Sequence, residues 1–161
     1  ILTSHTVKEA IGKNSLEKAV VCEVDEKFAP IEGTEKVFDV DVMCISVGLT
    51  PLNELLAMRG CEMKYIPQLS GLVPVRNENY ETTVENVFAA GDATGIEEAS
   101  AAMVEGSLAG ICAAAKIGHK NEDYEDRKND YVKQLNDLRS GPSGRHILSG
   151  IEQIVTGGRN V

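Results

Sequence analysis

The feature that most constrains this chain is residues 82–95, TTVENVFAAGDATG. Residues 83–86 read as a turn. Val87, Phe88, Ala89 and Ala90 form a brief apolar run of a length suited to a buried strand. Gly91, Asp92 and Gly95 break that run, and an Ala-rich segment follows over residues 97–117. The unit is therefore strand, acidic glycine turn, helix. In open α/β sheets such a turn lies at the carboxyl edge of the strands, where ligands bind. It sets one carboxylate beside a helix N-terminus, whose unpaired N–H groups and partial positive charge suit an anionic or carbonyl group. Asp92 would repel a phosphate there. It suits a hydroxyl-rich group that can donate to it.

A second stretch has the same character. Residues 40–47 (VDVMCISV) are nearly continuously apolar, the pattern of a strand inside a sheet. Gly48 ends the run and permits a close backbone approach. Pro51 suits the first turn of a short helix over residues 52–59. By itself each stretch also reads as an ordinary strand-to-helix connection with no ligand.

Together they carry a resemblance. TTVENVFAAGDAT resembles the second flavin-binding motif of the glutathione-reductase-like flavoproteins, which are built from two dinucleotide-binding domains: Thr, a few residues, an aromatic-apolar strand, then Gly-Asp. FDVDVMCISVGLTPLNEL resembles the stretch that, in the same class, ends the pyridine-nucleotide domain and returns the chain to the FAD domain. The resemblance implies FAD and NAD(P) as cofactors. It implies that Asp92, presented by Gly91, holds a ribityl hydroxyl, and that backbone N–H groups at Glu98 and Ala99 contact the flavin pyrimidine ring and favour negative charge there. Many relatives have a neutral or aromatic residue where Glu98 stands, so its backbone carries the implied contact. Gly48 and Pro51 join the cofactor-binding set on the same ground. GDATGIEEASAAMVEGSLAG looks most like the amine-oxidising and hydrogen-cyanide-forming branch, whose subunits resemble the α subunits of sarcosine and opine oxidases.

Composition narrows the setting. The 161 residues amount to about one domain. With 4% aromatics and no Trp, packing must rely on aliphatics and Ala. A net charge of −9 argues against nucleic acid or an anionic membrane as partner. Cys22, Cys44, Cys61 and Cys112 form no C-x-x-C and have no His at ligand spacing, so no metal site is expected. Cys44 and Cys112 sit in apolar runs and are expected to be buried. Unpaired cysteines fit a reducing, cytoplasmic location. No apolar run approaches the length of a membrane span. There is no G-x-G-x-x-G, and the first residue is Ile. The expectation is therefore a piece of a longer flavoprotein, with the glycine-rich nucleotide loops outside it and the catalytic residues not legible.

The expected fold is α/β: a partial FAD/NAD(P)-binding, Rossmann-like domain with a small antiparallel β-meander and a helical C-terminal tail. Residues 7–11, 19–24 and 35–40 make the meander, with a turn at Glu32, Gly33 and Thr34. A central sheet carries residues 40–47 and 87–90, both mostly buried. The helix over 96–117 packs on it through Ala99, Ala102, Met103, Gly106, Ala109, Gly110, Ala113 and Ile117, a stripe of mostly small residues at helical period. Residues 60–67 read as irregular, 71–75 as a short strand and 121–139 as a charged helix. Residues 140–144 (SGPSG) read as a linker, 147–155 as an amphipathic helix, and TGGRN as a frayed tail. By domain, 1–47 would end a pyridine-nucleotide-binding domain and 48–118 would form the C-terminal half of an FAD-binding domain. Residues 119–161 would form a helical tail for a homo-oligomer or partner-subunit contact. Two functions follow: part of an FAD-dependent, NAD(P)-linked oxidoreductase, inactive by itself, or a natural short scaffold that acts as a non-catalytic binding or subunit-interaction module.

Overall fold

The computed structural model describes residues 1–156. Most of the expected frayed tail, residues 157–161, lies outside the described residues. The chain divides into two compact units, Ile1–Val47 and Gly48–Val161.

The first unit is the expected meander. Strands β1 (His5–Ile11), β2 (Lys18–Glu23) and β3 (Lys36–Asp39) pair antiparallel in the order β1-β2-β3. The β-branched run at Val20 and Val21 puts β2 in the centre, where Ala19, Val20, Cys22 and Val24 are buried. The β2–β3 connection is held by Thr34, whose Oγ1 accepts the Glu23 N–H at 2.9 Å and donates to the Ile31 carbonyl at 2.7 Å. Gly33 takes φ +81 there.

Residues 40–47 are not the expected sheet strand. They carry no ladder among the described residues, and Val42, Ile45 and Val47 are 73%, 69% and 90% exposed. Cys44 is exposed as well, against expectation, while Cys112 is buried. The reason is non-local. An all-apolar strand is stable where neighbours cover both edges and both faces, and no described strand pairs with this one. Residues 87–90 also lie outside a central sheet. The Val87 carbonyl accepts the Thr82 N–H at 2.8 Å, the Ala89 N–H reaches Tyr80 at 3.0 Å, and Phe88 makes an isolated bridge with Glu81. The run closes a narrow hairpin on its own upstream residues, and only Ala89 of the four is buried.

The second unit is α/β with two small sheets. Helix α1 (Glu54–Met58) is shorter than expected. Residues 60–67 are not irregular: they supply β4 (Met63–Ile66), which pairs antiparallel with β5 (Gly71–Pro74) across a 3-10 turn at Pro67–Leu69. A short β6 (Arg76–Asn77) pairs in parallel with β7 (Val155–Thr156). Between them come α2 (Ala99–Lys116), α3 (Tyr124–Leu138) and α4 (Pro142–Ile151). The 140–144 stretch is thus a helix start rather than a linker, because Pro142 is preorganised for a first turn. The last helix ends at Ile151, and Ile154, 1% exposed, offers its carbonyl to the Arg76 N–H.

Helix α2 turns a different side inward from the one expected. Its buried residues are Ala101, Glu105, Leu108, Ala109 and Cys112, packed with Tyr80 and with Leu135 of α3. Of the small-residue stripe only Ala109 is buried: Met103 is 75% exposed, and among the described residues no atom of a neighbouring element comes within 4 Å of a Cβ added at Gly106 or Gly110. Burial stabilises roughly in proportion to apolar area, at about 25 cal/mol per Å². Leu108, Leu135 and Tyr80 therefore outweigh a stripe of Gly and Ala. Gly118, at φ +91, ends the helix as expected. Its N–H bonds Ala115 and the His119 N–H bonds Ala114, the Schellman arrangement. A second core joins Ile66, Leu69, Val73 and Ile154, with Ile147 and Ile151 of α4 packed against it.

Candidate functional site

The acidic glycine turn is built from both sides. Thr82 and Thr83 anchor its approach. Thr82 Oγ1 accepts the Val84 N–H at 3.2 Å, and Thr83 Oγ1 accepts the Glu62 N–H at 2.8 Å. After the extended Ala90, Gly91–Thr94 forms a single 3-10 turn. Gly91 is buried at φ +67, a left-handed conformation that favours glycine. Thr94 Oγ1 donates to the Gly91 carbonyl at 2.9 Å. Gly95 lies against Leu69, where an added Cβ would come within 3.0 Å of that side chain. Asp92 stands exposed on the turn, and its carboxylate has no partner among the described residues.

Helix α2 starts a few residues later. Glu98 is its N-cap residue, extended, with no side-chain cap. The Glu98 carbonyl accepts from the Ala101 and Ala102 N–H groups. The N–H groups of Glu98 and Ala99 have no acceptor among the described residues, as the first turn of a helix requires.

Two concavities flank these elements. One, about 410 Å³, is lined by residues 52–56 and by Phe88, Ala89, Ala90 and Ala93. It joins the segment that follows Gly48 and Pro51 to the run that leads into and through Gly91 and Asp92. Asn53 fixes the first wall by donating its side-chain amide to the Leu72 carbonyl. The other, about 600 Å³, is lined by Ile96, Glu97, Glu98 and Ala101 on one side and by Leu138, Arg139 and residues of α4 on the other. Glu98 therefore faces the larger groove, whereas Asp92 lines neither, and the two do not share one concave pocket. Gly48 is exposed at φ +93, and Pro51 is half-buried beside Gly71.

Sequence reasoning missed the cluster behind the turn. Glu105, 2% exposed, points its Oε2 at the Gly91 N–H, 2.9 Å away. Its Oε1 accepts the Tyr80 hydroxyl at 3.0 Å and Arg139 Nη2 at 2.6 Å, with Arg76 Nη2 at 3.5 Å. Arg139 also binds Glu97, and Arg76 lies over the Tyr80 ring, 3.9 Å from its centroid. Burial raises the Tyr80 hydroxyl pKa, and the Glu105 charge adds to the shift against the opposing pull of Arg76 and Arg139. A signal was present: Glu105 falls in line with Ala101, Leu108, Ala109 and Cys112, and a carboxylate in a buried stripe demands partners. Those partners are scattered over residues 76–139, so spacing could not name them.

A small α/β chain with an acidic glycine turn ahead of a helix points to a class rather than to one protein. The family model for pyridine nucleotide-disulphide oxidoreductases matches residues 1–106, and the chain belongs to that family. This places it in the Rossmann-like α/β fold class. Among individual proteins, it is 27% identical over 86 residues to an opine oxidase subunit of Rhizobium meliloti, covering 53% of this chain and 16% of that protein. It is 34% identical over 70 residues to the corresponding opine oxidase subunit of Agrobacterium tumefaciens (strain Ach5), covering 44% of this chain and 14% of that one. The matched regions thus span about one-sixth of these relatives.

Proposed function

We propose that this chain is part of an FAD-dependent, NAD(P)-linked oxidoreductase, a dehydrogenase or oxidase subunit, and that it supplies the ribityl and flavin-edge contacts. The observation that carries the reading is the 410 Å³ concavity, whose walls come from residues 52–56 and from Phe88, Ala89, Ala90 and Ala93, which flank Gly91 and Asp92 in the chain. The residues fit part of a flavin nucleotide. Asp92 is an acceptor with no partner among the described residues, suited to a sugar-alcohol hydroxyl. The Glu98 and Ala99 N–H groups are donors without acceptors, suited to a carbonyl edge. When bound, FAD would supply the two-electron chemistry. The chain holds no glycine-rich nucleotide loop, so the pyrophosphate and the nicotinamide nucleotide would rest on residues beyond these 161. The similarity to opine oxidase subunits supports an oxidase subunit, and unpaired cysteines support a cytoplasmic setting.

We propose further that the chain meets a second copy or a partner subunit, because Val42, Ile45, Leu52, Leu55 and Met58 are all exposed. Among the described residues no helix is long and apolar enough to cross a membrane.

The test is Asp92→Ala in the FAD-loaded protein that carries this chain. FAD retention should weaken by about 1–3 kcal/mol for one lost charge-assisted hydrogen bond. Unchanged flavin content together with unchanged flavin release would count against the assignment. Titration of the 161-residue chain with FAD, alongside light scattering, separates the second reading. Weak binding with self-association is expected. Tight FAD binding by a strict monomer would instead mean that the chain is a complete flavin module.

A further inference from the structure

We infer that Glu105 is a positioning residue whose buried carboxylate holds the Gly91–Thr94 turn in the geometry that presents Asp92. Its link to flavin rests on the function proposed above, whereas its link to the turn does not.

The argument begins with Gly91. Its N–H is buried, and a buried amide needs an acceptor. No backbone carbonyl among the described residues accepts this N–H, and the acceptor comes from α2: Glu105 Oε2, at 2.9 Å. Thr94 Oγ1 lies 3.4 Å from the same oxygen, although its single proton has the shorter bond to the Gly91 carbonyl. The two carboxylate oxygens divide the work. Oε2 faces the turn, and Oε1 faces Tyr80, Arg139 and Arg76. Arg76 and Arg139 are balanced by Glu97 and Glu105, so the cluster is neutral overall. Glu105 is the one member that touches both the cations and the turn.

Glutamine cannot replace it. An amide offers one acceptor oxygen and two N–H donors. With the oxygen towards Gly91, the amide NH2 faces two guanidinium groups. With the oxygen towards the guanidinium groups, the NH2 meets the Gly91 N–H. In either orientation one side loses its acceptor, and two buried cations share a single remaining carboxylate.

Residue-resolved amide hydrogen exchange on the full chain tests this, with wild type, Glu105→Gln and Tyr80→Phe compared. In Glu105→Gln, exchange over residues 91–96 should accelerate about tenfold to a hundredfold more than exchange in the β4–β5 hairpin. Tyr80→Phe touches only Oε1 and should move turn and hairpin alike. In the FAD-loaded protein, Glu105→Gln should speed flavin release by a similar factor while Tyr80→Phe leaves it unchanged. If Glu105→Gln does not fold, Glu105→Asp takes its place, because it keeps the charge and draws the oxygens back from Gly91. The same selective loss at the turn is then expected. Exchange that changes equally in turn and hairpin, or not at all in the turn, would overturn the inference. Selective loss at the turn with no effect of Asp92→Ala on flavin retention would uphold Glu105 and sink the flavin reading instead.

Discussion

Gly91 and Asp92 are neighbours with opposite tasks. Gly91 is buried, left-handed and bonded to Glu105, and Asp92 is exposed, its carboxylate without a partner among the described residues. Substitution should separate them. Gly91→Ala forces a side chain into φ +67, with its Cβ 3.4 Å from that of Ala102, and should cost roughly 1–2 kcal/mol in urea unfolding. Asp92→Ala should stay within about 0.5 kcal/mol of wild type in the same measurement. A large stability loss at Asp92 would mean that its carboxylate holds structure rather than awaiting a ligand. Tyr80 gives a pH test. Burial, with the Glu105 charge, raises its pKa above the unfolded value near 10. The folded state therefore keeps the proton after the unfolded chain has released it. That stabilisation is complete below about pH 10 and is lost as pH climbs through the folded-state value. Tyr124, pushed up to about 12 by burial and its contact with Cys112, acts in the same direction. The urea midpoint should thus fall above about pH 10, and less steeply in Tyr80→Phe, where the Tyr124 contribution remains. Equal slopes for the two proteins would exclude Tyr80 as a source.

Among the elements, α4 and the turn at Pro67–Leu69 depend on one close approach. A Cβ on Gly150 would lie 2.8 Å from Leu69 Cγ and 2.9 Å from Gln68 Cβ. Leu69 also contacts Gly95, and its carbonyl accepts the Ile96 N–H at 3.3 Å. One leucine thus bridges the last helix and the exit of the acidic turn. Gly150→Ala should destabilise by about 1–3 kcal/mol through overpacking, with faster amide exchange in α4 and at Ile96. An unaltered exchange pattern would show that α4 shifts aside without consequence for the turn. Helix α2 shows the same dependence on neighbours. Its periodicity marks it plainly as a helix, but which side faces inward follows from the size of Leu108, Leu135 and Tyr80.

For the molecule as a whole, the exposed segment at the boundary of the two units is the weak point. Residues 41–53 carry neither helix nor ladder among the described residues, and Val47, Leu49 and Leu52 are open to solvent. Limited proteolysis should cut there first, because exposed chain without backbone pairing fits a protease cleft most readily. The expected products correspond to Ile1–Val47 and Gly48–Val161. First cuts inside β1–β3 or within α2–α4 would contradict this. A partner that covers the segment should slow the cleavage, so the rate measured against protein concentration also reports on self-association.

What the sequence determined by itself is local. The β-branched run made β2 legible, the Glu32-Gly33-Thr34 turn made the meander legible, and helical periodicity with Gly118 made α2 and its end legible. The spacing of Thr82, Gly91 and Asp92 marked the turn and led to the family. These features depend on residues close together in the chain, where propensity and turn geometry act directly. The tertiary structure decided the rest, which depends on distant partners. Residues 40–47 have the pattern of an inner strand, but pairing requires another strand beside them. The inner face of α2 was settled by which contacts bury the most area. The Glu105 cluster joins residues from Arg76 to Arg139, and a buried carboxylate shows in sequence only as a demand for partners, because its hydrogen bonds are satisfied in space rather than along the chain.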